Sequence, residues 1–369
     1  MMGYKKKTLR VEWNLTYQCN LNCLHCSATD MRKVKDNLSL SEFEKIIEKL
    51  SPYRCTLHVN PSAGEPTIKK NFIEIYNLMA QNLNELRLTT NGIILSKMID
   101  KLYFRNLSTI IISMDGGTEE IHDKIRGKNT YKKTRKSLKT LVEKKEKENL
   151  KFDIQINYVI NKLNSESLID MTTILDEYDV NVINVIHTEL GIGGNAKANA
   201  DILYLPYEEC IKHIGEFLQK LRITNKIRKK KGKKPILLRP ESFTAKWLYI
   251  LAKKYGLKYL LIRKRSTCNV LTKKYIYLDP RGNAFPCLFF TERTVQKEII
   301  NRYGMFAPPN ILEENIEEIL TSKFFKNARS LIEDFLNFNN LPCKQCQFLN
   351  ACTICPIYAN LWGIENECF

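Results

Sequence analysis

Leu9-Arg-Val-Glu-Trp-Asn14 alternates apolar and polar residues, and shortly after it the chain runs Cys19-Asn-Leu-Asn-Cys23-Leu-His-Cys26. The first stretch has the period of a β-strand; the second is a loop carrying three thiols in the spacing C-x3-C-x2-C. Three thiolates on one loop can ligate three irons of a [4Fe–4S] cube and leave the fourth iron open to chelate a small molecule. Read alone, the spacing also admits a zinc knuckle with His25 as fourth ligand, although adjacency to Cys26 makes that geometry awkward.

Working outward, strand-like and helix-like patterns alternate. Strands are expected at Thr56–Asn60, Glu85–Thr89, Thr109–Met114, Phe152–Ile160 and Asn181–Ile186. Ser39-Leu-Ser-Glu42 reads as a capping box opening a helix through Leu50, and further helices are expected near Phe72–Asn82, Ser96–Leu102, Tyr131–Glu148 and Ser165–Tyr178. Such alternation predicts an α/β fold with a parallel sheet, whose chemistry lies at the carboxyl ends of its strands. The Cys loop follows the first strand and so belongs to that edge. Residues from Tyr207 to about Arg265 read as mostly helical. Beyond them, Tyr275–Leu278 and Ala284–Leu288 flank Asp279-Pro-Arg-Gly282 as a hairpin, followed by a helix near Ser322–Leu336. Three regions result: 1–205, a helical connecting segment at 206–264, and a cysteine-rich 265–369.

The chain has 369 residues, 44% of them hydrophobic, enough for a substantial core. The basic N-terminus lacks the apolar stretch of a signal peptide and no later run spans a membrane, so a cytoplasmic protein without a membrane partner is expected. In that reducing compartment the 12 cysteines read as metal ligands rather than disulfides. Cys55 and Cys210 lie outside the clusters and read as plain buried or half-buried thiols; His58 and His187, at strand positions, read as core or hydrogen-bonded histidines. The net charge of +18 includes a dense run, Lys226 to Lys234, read either as a solvated loop or as a docking surface for an acidic partner. No aromatic or groove-reading motif supports nucleic acid.

Four further segments fall at successive strand ends: Ser62-Ala-Gly-Glu-Pro66, Ser113-Met-Asp-Gly116 with His122-Asp-Lys-Ile-Arg-Gly127, Asn157 within the fifth strand, and Gly191-Ile-Gly-Gly-Asn-Ala196 after the sixth. With the Cys loop, this set resembles the radical S-adenosylmethionine (SAM) superfamily, with His25 in the aromatic slot of its C-x3-C-x-aromatic-C loop. The resemblance implies a partial (β/α)6 barrel and places the first cluster on Cys19, Cys23 and Cys26. It assigns SAM contacts to Gly64, Glu65 and Pro66, to Ser113 and Arg126, and to Asn157, with the 191–196 segment packing on adenine. Ala63 departs from the family's first Gly.

The last hundred residues hold Cys268, Cys287, Cys343, Cys346, Cys352, Cys355 and Cys368. Gly282 and Cys287 have the spacing G-x4-C, and the later group reads C-x2-C-x5-C-x2-C before a lone Cys. This resembles the SPASM domain, a small α+β module with two auxiliary [4Fe–4S] clusters, one residue short between Cys352 and Cys355. By resemblance, Cys343, Cys346, Cys352 and Cys368 would hold one cluster and Cys268, Cys287 and Cys355 the other. Seven thiolates for two cubes leave the second with an open or non-Cys position.

SPASM relatives imply reductive cleavage of SAM and net oxidation of a peptide or small protein. A tetrapyrrole-pathway enzyme of similar layout is the alternative, and an iron–sulfur electron-transfer protein a third. A sulfatase-maturase reading is disfavoured because its acidic base position is here Leu288. A flavodoxin- or ferredoxin-type donor is expected. Only eighteen residues precede Cys19, too few for a leader-binding module, so the peptide, with an acidic leader, is expected to be presented by a separate protein or recognised by the basic run.

Overall fold

The computed structural model describes residues 6–190, 192–243, 245–257, 268–304, 307–336 and 355–357. Strands β1 (Thr8–Trp13), β2 (Arg54–Val59), β3 (Glu85–Thr90), β4 (Leu107–Ser113), β5 (Asp153–Ile160) and β6 (Val182–His187) pair in parallel, each with its predecessor. Between them run helices α1 (Leu40–Leu50), α2 (Phe72–Asn82), α3 (Glu119–Arg126), α4 (Thr130–Lys147) and α5 (Met171–Glu177). This is the predicted partial α/β barrel. Ser39 and Glu42 cap α1 reciprocally, and its buried face, Phe43, Ile46, Ile47 and Leu50, packs on the sheet, with the Phe43 ring tilted against Trp13 at 5.0 Å. In β4 the run Ile110-Ile-Ile112 is wholly buried, because helices cover one face and the barrel interior the other.

The sheet is larger than the sequence pattern indicates. After the short helices α6 (Gly194–Ala198) and α7 (Ala200–Leu203) and the long α8 (Tyr207–Lys230), strand β7 (Leu237–Glu241) adds parallel to β6. The mostly helical reading of this segment misses β7, which is short and carries Pro240, a residue tolerated at a sheet edge. Helix α9 (Ala245–Tyr255) follows. At the opposite edge, β8 (Tyr275–Leu278) pairs parallel with β1 and antiparallel with β9 (Ala284–Phe285). The predicted hairpin is therefore present, but β9 ends three residues early and Leu288 opens a 3-10 turn. Among the described residues the sheet has nine strands in the order β7-β6-β5-β4-β3-β2-β1-β8-β9, which joins the cysteine-rich region to the barrel in one sheet. Helices α10 (Arg293–Tyr303), α11 (Ile316–Thr321) and α12 (Lys323–Leu336) complete it.

Two local expectations need correcting. Ser96–Leu102 forms two 3-10 turns rather than one helix. Only the second half of the basic run is a loop: α8 continues through Lys230, where cations suit a helix carboxyl end, and the turn after it holds Gly232 with φ +69°. Nor is all of the run solvated. Arg228 is fully buried and bridges Asp176 (3.0 Å), Asp179 (2.7 Å) and the Lys234 carbonyl (2.9 Å). Cys55 and Cys210 are buried thiols, as expected.

Candidate active site

The strand ends meet at a cavity of about 330 Å³. Its lining includes Cys19, Cys23 and Cys26 from the loop after β1, Gly64 and Glu65 after β2, Thr89–Asn91 around the end of β3, Ser113 ending β4, Asn157 of β5, and Ile186, His187 and Glu189 around the end of β6. Leu288, Phe289 and Glu292, which follow β9, line it too. Residues near both edges of the sheet thus face one space, so the sheet curls into an open barrel. Of the predicted SAM contacts, Gly64, Glu65, Ser113, Arg126 and Asn157 are brought together here; Pro66 is buried in a 3-10 turn outside the lining.

Tertiary contacts hold the Cys loop in shape. Asn195, on α6, donates to the Cys23 carbonyl (3.0 Å) and to Asn22 (2.9 Å), and its own N–H meets Thr29 (3.0 Å). Gly194 packs so close to Thr29 and Cys26 that a Cβ would collide with both. In the predicted adenine segment, then, Gly191 lies outside the described residues, Ile192 lines the cavity, and Gly194 and Asn195 clamp the loop. The cluster chemistry suits the three thiols. Burial pushes the Cys23 thiol up to about 12, so a thiolate there requires positive charge opposite it. Arg126 Nη1 lies 4.0 Å from Cys23 Sγ, and Asn91 Nδ2 lies 3.9 Å from Cys19 Sγ.

Arg126 is itself anchored. Its Nε donates to Asp115 at 2.5 Å, and Asp115 accepts from the Val159 N–H at 2.7 Å. Burial works against ionisation of Asp115, yet Arg126, His25 and that N–H hold its carboxyl below the usual range. His25 Nε2 lies 3.5 Å from the same carboxylate, and burial lowers the ring to about 4, so it is neutral. The ring engages Asp115, an arrangement unlike the ligand role of the zinc-knuckle alternative. Asp115 was legible only as part of a strand end, and nothing in its neighbours signals that it organises three other groups.

Glu65 is committed to the protein. Its carboxylate accepts from Thr67 N (3.1 Å), Thr67 Oγ1 (2.5 Å), Thr90 Oγ1 (2.7 Å) and Asn91 N (2.6 Å). Burial nonetheless raises its pKa. The carboxylate ties β2 to β3 at the cavity floor. Asn157 pairs in register with Asn184, whose Nδ2 donates to Asn157 Oδ1 at 2.8 Å. His58 and His187 are half-buried and buried, bonded to Thr89 (2.8 Å) and the Leu205 carbonyl (3.2 Å). Both behave as the structural histidines expected.

Sequence reasoning missed two cavity carboxylates. Glu189 accepts from Ser242 Oγ at 2.8 Å, and Glu292 follows the 3-10 turn that begins at Leu288. Burial raises the pKa of each. Leu288 lines the cavity and carries no proton-accepting group. The signal for Glu292 was its place within about a turn of Cys287; for Glu189 there was none.

Cys268, Cys287 and Cys355 are half-buried against the core. Burial, then the charges of Cys355 and Cys268, push the Cys287 thiol well above its usual pKa. Cys343, Cys346, Cys352 and Cys368 lie outside the described residues. Among the described residues no three ligating side chains converge tightly enough to hold a single metal ion, and no helix is long and apolar enough to cross a membrane.

Comparison with known proteins agrees with this architecture. Residues 13–172 match the radical SAM superfamily model, and residues 268–347 match an iron–sulfur cluster-binding domain, SPASM. The mycofactocin maturase MftC of Mycolicibacterium smegmatis is 29% identical over 168 residues, 45% of this chain and 41% of that protein. The match therefore spans less than half of that relative. The Fe-coproporphyrin III synthase of Methanosarcina barkeri is 25% identical over 381 aligned positions, covering 99% of this chain and 88% of that protein. Among solved structures, Streptococcus suis SuiB bound to S-adenosylmethionine superposes with a TM-score of 0.64 at 14% identity, over 94% of this chain and 72% of that one; SuiB bound to precursor peptide SuiA gives 0.63. These superpositions establish the shared fold. The chain thus carries a radical SAM domain over residues 13–172 and a C-terminal SPASM domain over residues 268–347.

Proposed function

We propose that this protein reductively cleaves SAM and uses the resulting radical to oxidise a peptide or small protein. The observation that carries the proposal is the convergence of Cys19, Cys23 and Cys26 with the ends of β2 to β6 on one cavity. When bound, an open-site [4Fe–4S] cluster supplies the electron that breaks the SAM sulfonium bond. The chain's own residues bind and orient. Arg126, fixed by Asp115, sets a cation beside the cluster thiols; Gly64 and Glu65 form the floor; Ser113 and Asn157 offer polar groups above it. Cys268, Cys287 and Cys355 would hold one auxiliary cluster, and Cys343, Cys346, Cys352 and Cys368 the other. A peptide substrate is supported by the likeness to SuiB, solved with its precursor peptide. A flavodoxin- or ferredoxin-type donor would supply electrons. The exposed lysines of 226–234, with Arg228 excluded as a buried structural group, would meet an acidic leader or a leader-binding protein.

Anaerobic reconstitution tests this. About 12 irons falling to about 8 in the Cys19/Cys23/Cys26→Ala variant supports three cubes, and 5′-deoxyadenosine formed on reduction with SAM supports cleavage. No 5′-deoxyadenosine from a fully loaded protein favours the electron-transfer reading instead. A second reading, a tetrapyrrole substrate, is favoured by the match to Fe-coproporphyrin III synthase across nearly the whole chain. Copurifying porphyrin, or its consumption with SAM, would select it.

A further inference from the structure

The SAM-side lining accounts for the cysteines and strand ends but not for Glu189 and Glu292. They reach the cavity from opposite edges of the sheet: Glu189 follows β6, beside the edge strand β7, and Glu292 follows β9 at the other edge. Both are half-buried. Glu189 has the Ser242 hydroxyl as partner, and among the described residues neither carboxylate has an ion pair. Asp30 adds negative charge near Glu292. The arginines lining the cavity are engaged elsewhere, Arg126 with Asp115 and Arg32 with the Leu21 carbonyl (2.7 Å) and Asn22 (3.5 Å). The same cavity is lined by the apolar side chains of Ile186, Ile192, Leu288 and Phe289.

A carboxylate withdrawn from water without a counter-charge is costly, and an incoming cation recovers that cost. A second carboxylate in the same low-dielectric space is repelled. The apolar lining suits the methylene stem of a long cationic side chain, with its charged head at one of these glutamates. We infer that this cavity selects a Lys or Arg side chain on the peptide segment presented for modification. The inference rests on the peptide reading above, and it sets the cavity against substrates that enter through propionate carboxylates.

Calorimetry on the anaerobically reconstituted protein with SAM tests it. The probes are the pentapeptide Gly-Ala-Lys-Ala-Gly, the same peptide with ε-N-acetyl-lysine, and iron coproporphyrin III. The lysine peptide is expected to bind at least about tenfold more tightly than the acetylated one, the scale of one lost buried charge pair. The double variant Glu189→Gln/Glu292→Gln is expected to bring the two within about twofold, and the single variants to fall between; the singles carry the test if the double variant loses its iron. Equal affinity of both peptides for the wild type overturns the inference while leaving the peptide reading standing. Binding of coproporphyrin with neither peptide bound overturns both.

Discussion

Replacing Gly64 by Ala tests whether the cavity floor is rigid. Gly64 has φ +71°, and a Cβ there would sit 2.1 Å from the Thr16 carbonyl oxygen and 3.0 Å from Tyr17 Cα. Neither atom is free to retreat. The Thr16 carbonyl accepts from Asn60 Nδ2 (3.0 Å), Asn60 Oδ1 accepts from the Leu15 N–H (2.9 Å), and the Asn60 N–H meets the Trp13 carbonyl (2.9 Å). The left-handed backbone alone costs an L-residue about 1–2 kcal/mol. Forcing a methyl into fixed backbone adds about 1–3 kcal/mol. Gly232 separates the two contributions, because its φ is +69° and nothing lies within 4 Å of its Cβ position. Urea unfolding of the apo-protein, followed by circular dichroism, should show Gly64→Ala about 1–3 kcal/mol more destabilised than Gly232→Ala, at unchanged m. A difference below about 0.5 kcal/mol would refute the reasoning, because the Cys loop would then yield to Gly64.

Other outcomes follow from single groups. Arg228→Met should destabilise by about 1–3 kcal/mol, less than for a fully buried pair because Asp176 and Asp179 keep a third or more of their surface in water and Lys233 stays beside Asp179, whereas Lys229→Gln and Lys230→Gln should stay within about 0.5 kcal/mol in the same assay. Glu65→Gln turns a donor toward groups that already donate and should cost about 2–4 kcal/mol. Burial, then Arg87 and Arg10, lower His58 to about 3, while in the unfolded chain it protonates below about 6.5. The native state binds fewer protons in that window, so stability present above pH 6.5 is lost as pH falls toward 3. His58→Gln should remove up to about one proton from the slope of unfolding free energy against pH between 5 and 6.5.

The sequence by itself determined the alternation of strands and helices and the thiol-bearing loop at the end of the first strand. Each rests on local rules: period-two and period-3.6 burial, a capping box at Ser39, and thiols spaced along one loop. Those signals lie within a few residues of one another and survive without knowledge of what packs where. Strand β7 and the helical half of the basic run were not legible, because Pro240 weakens a strand pattern and a lysine run reads as solvent whether or not one of its members turns inward. Arg228 looks like its neighbours, and only Asp176 and Asp179, brought alongside by the packing of α5 on α8, distinguish it. The same holds at the site. Asp115 organises Arg126 and His25, Asn195 clamps the Cys loop, and Glu189 and Glu292 share a cavity from positions about a hundred residues apart. Spacing along a chain carries no information about such meetings; the curl of a nine-stranded sheet decides them, because it brings residues near its two edges to one space.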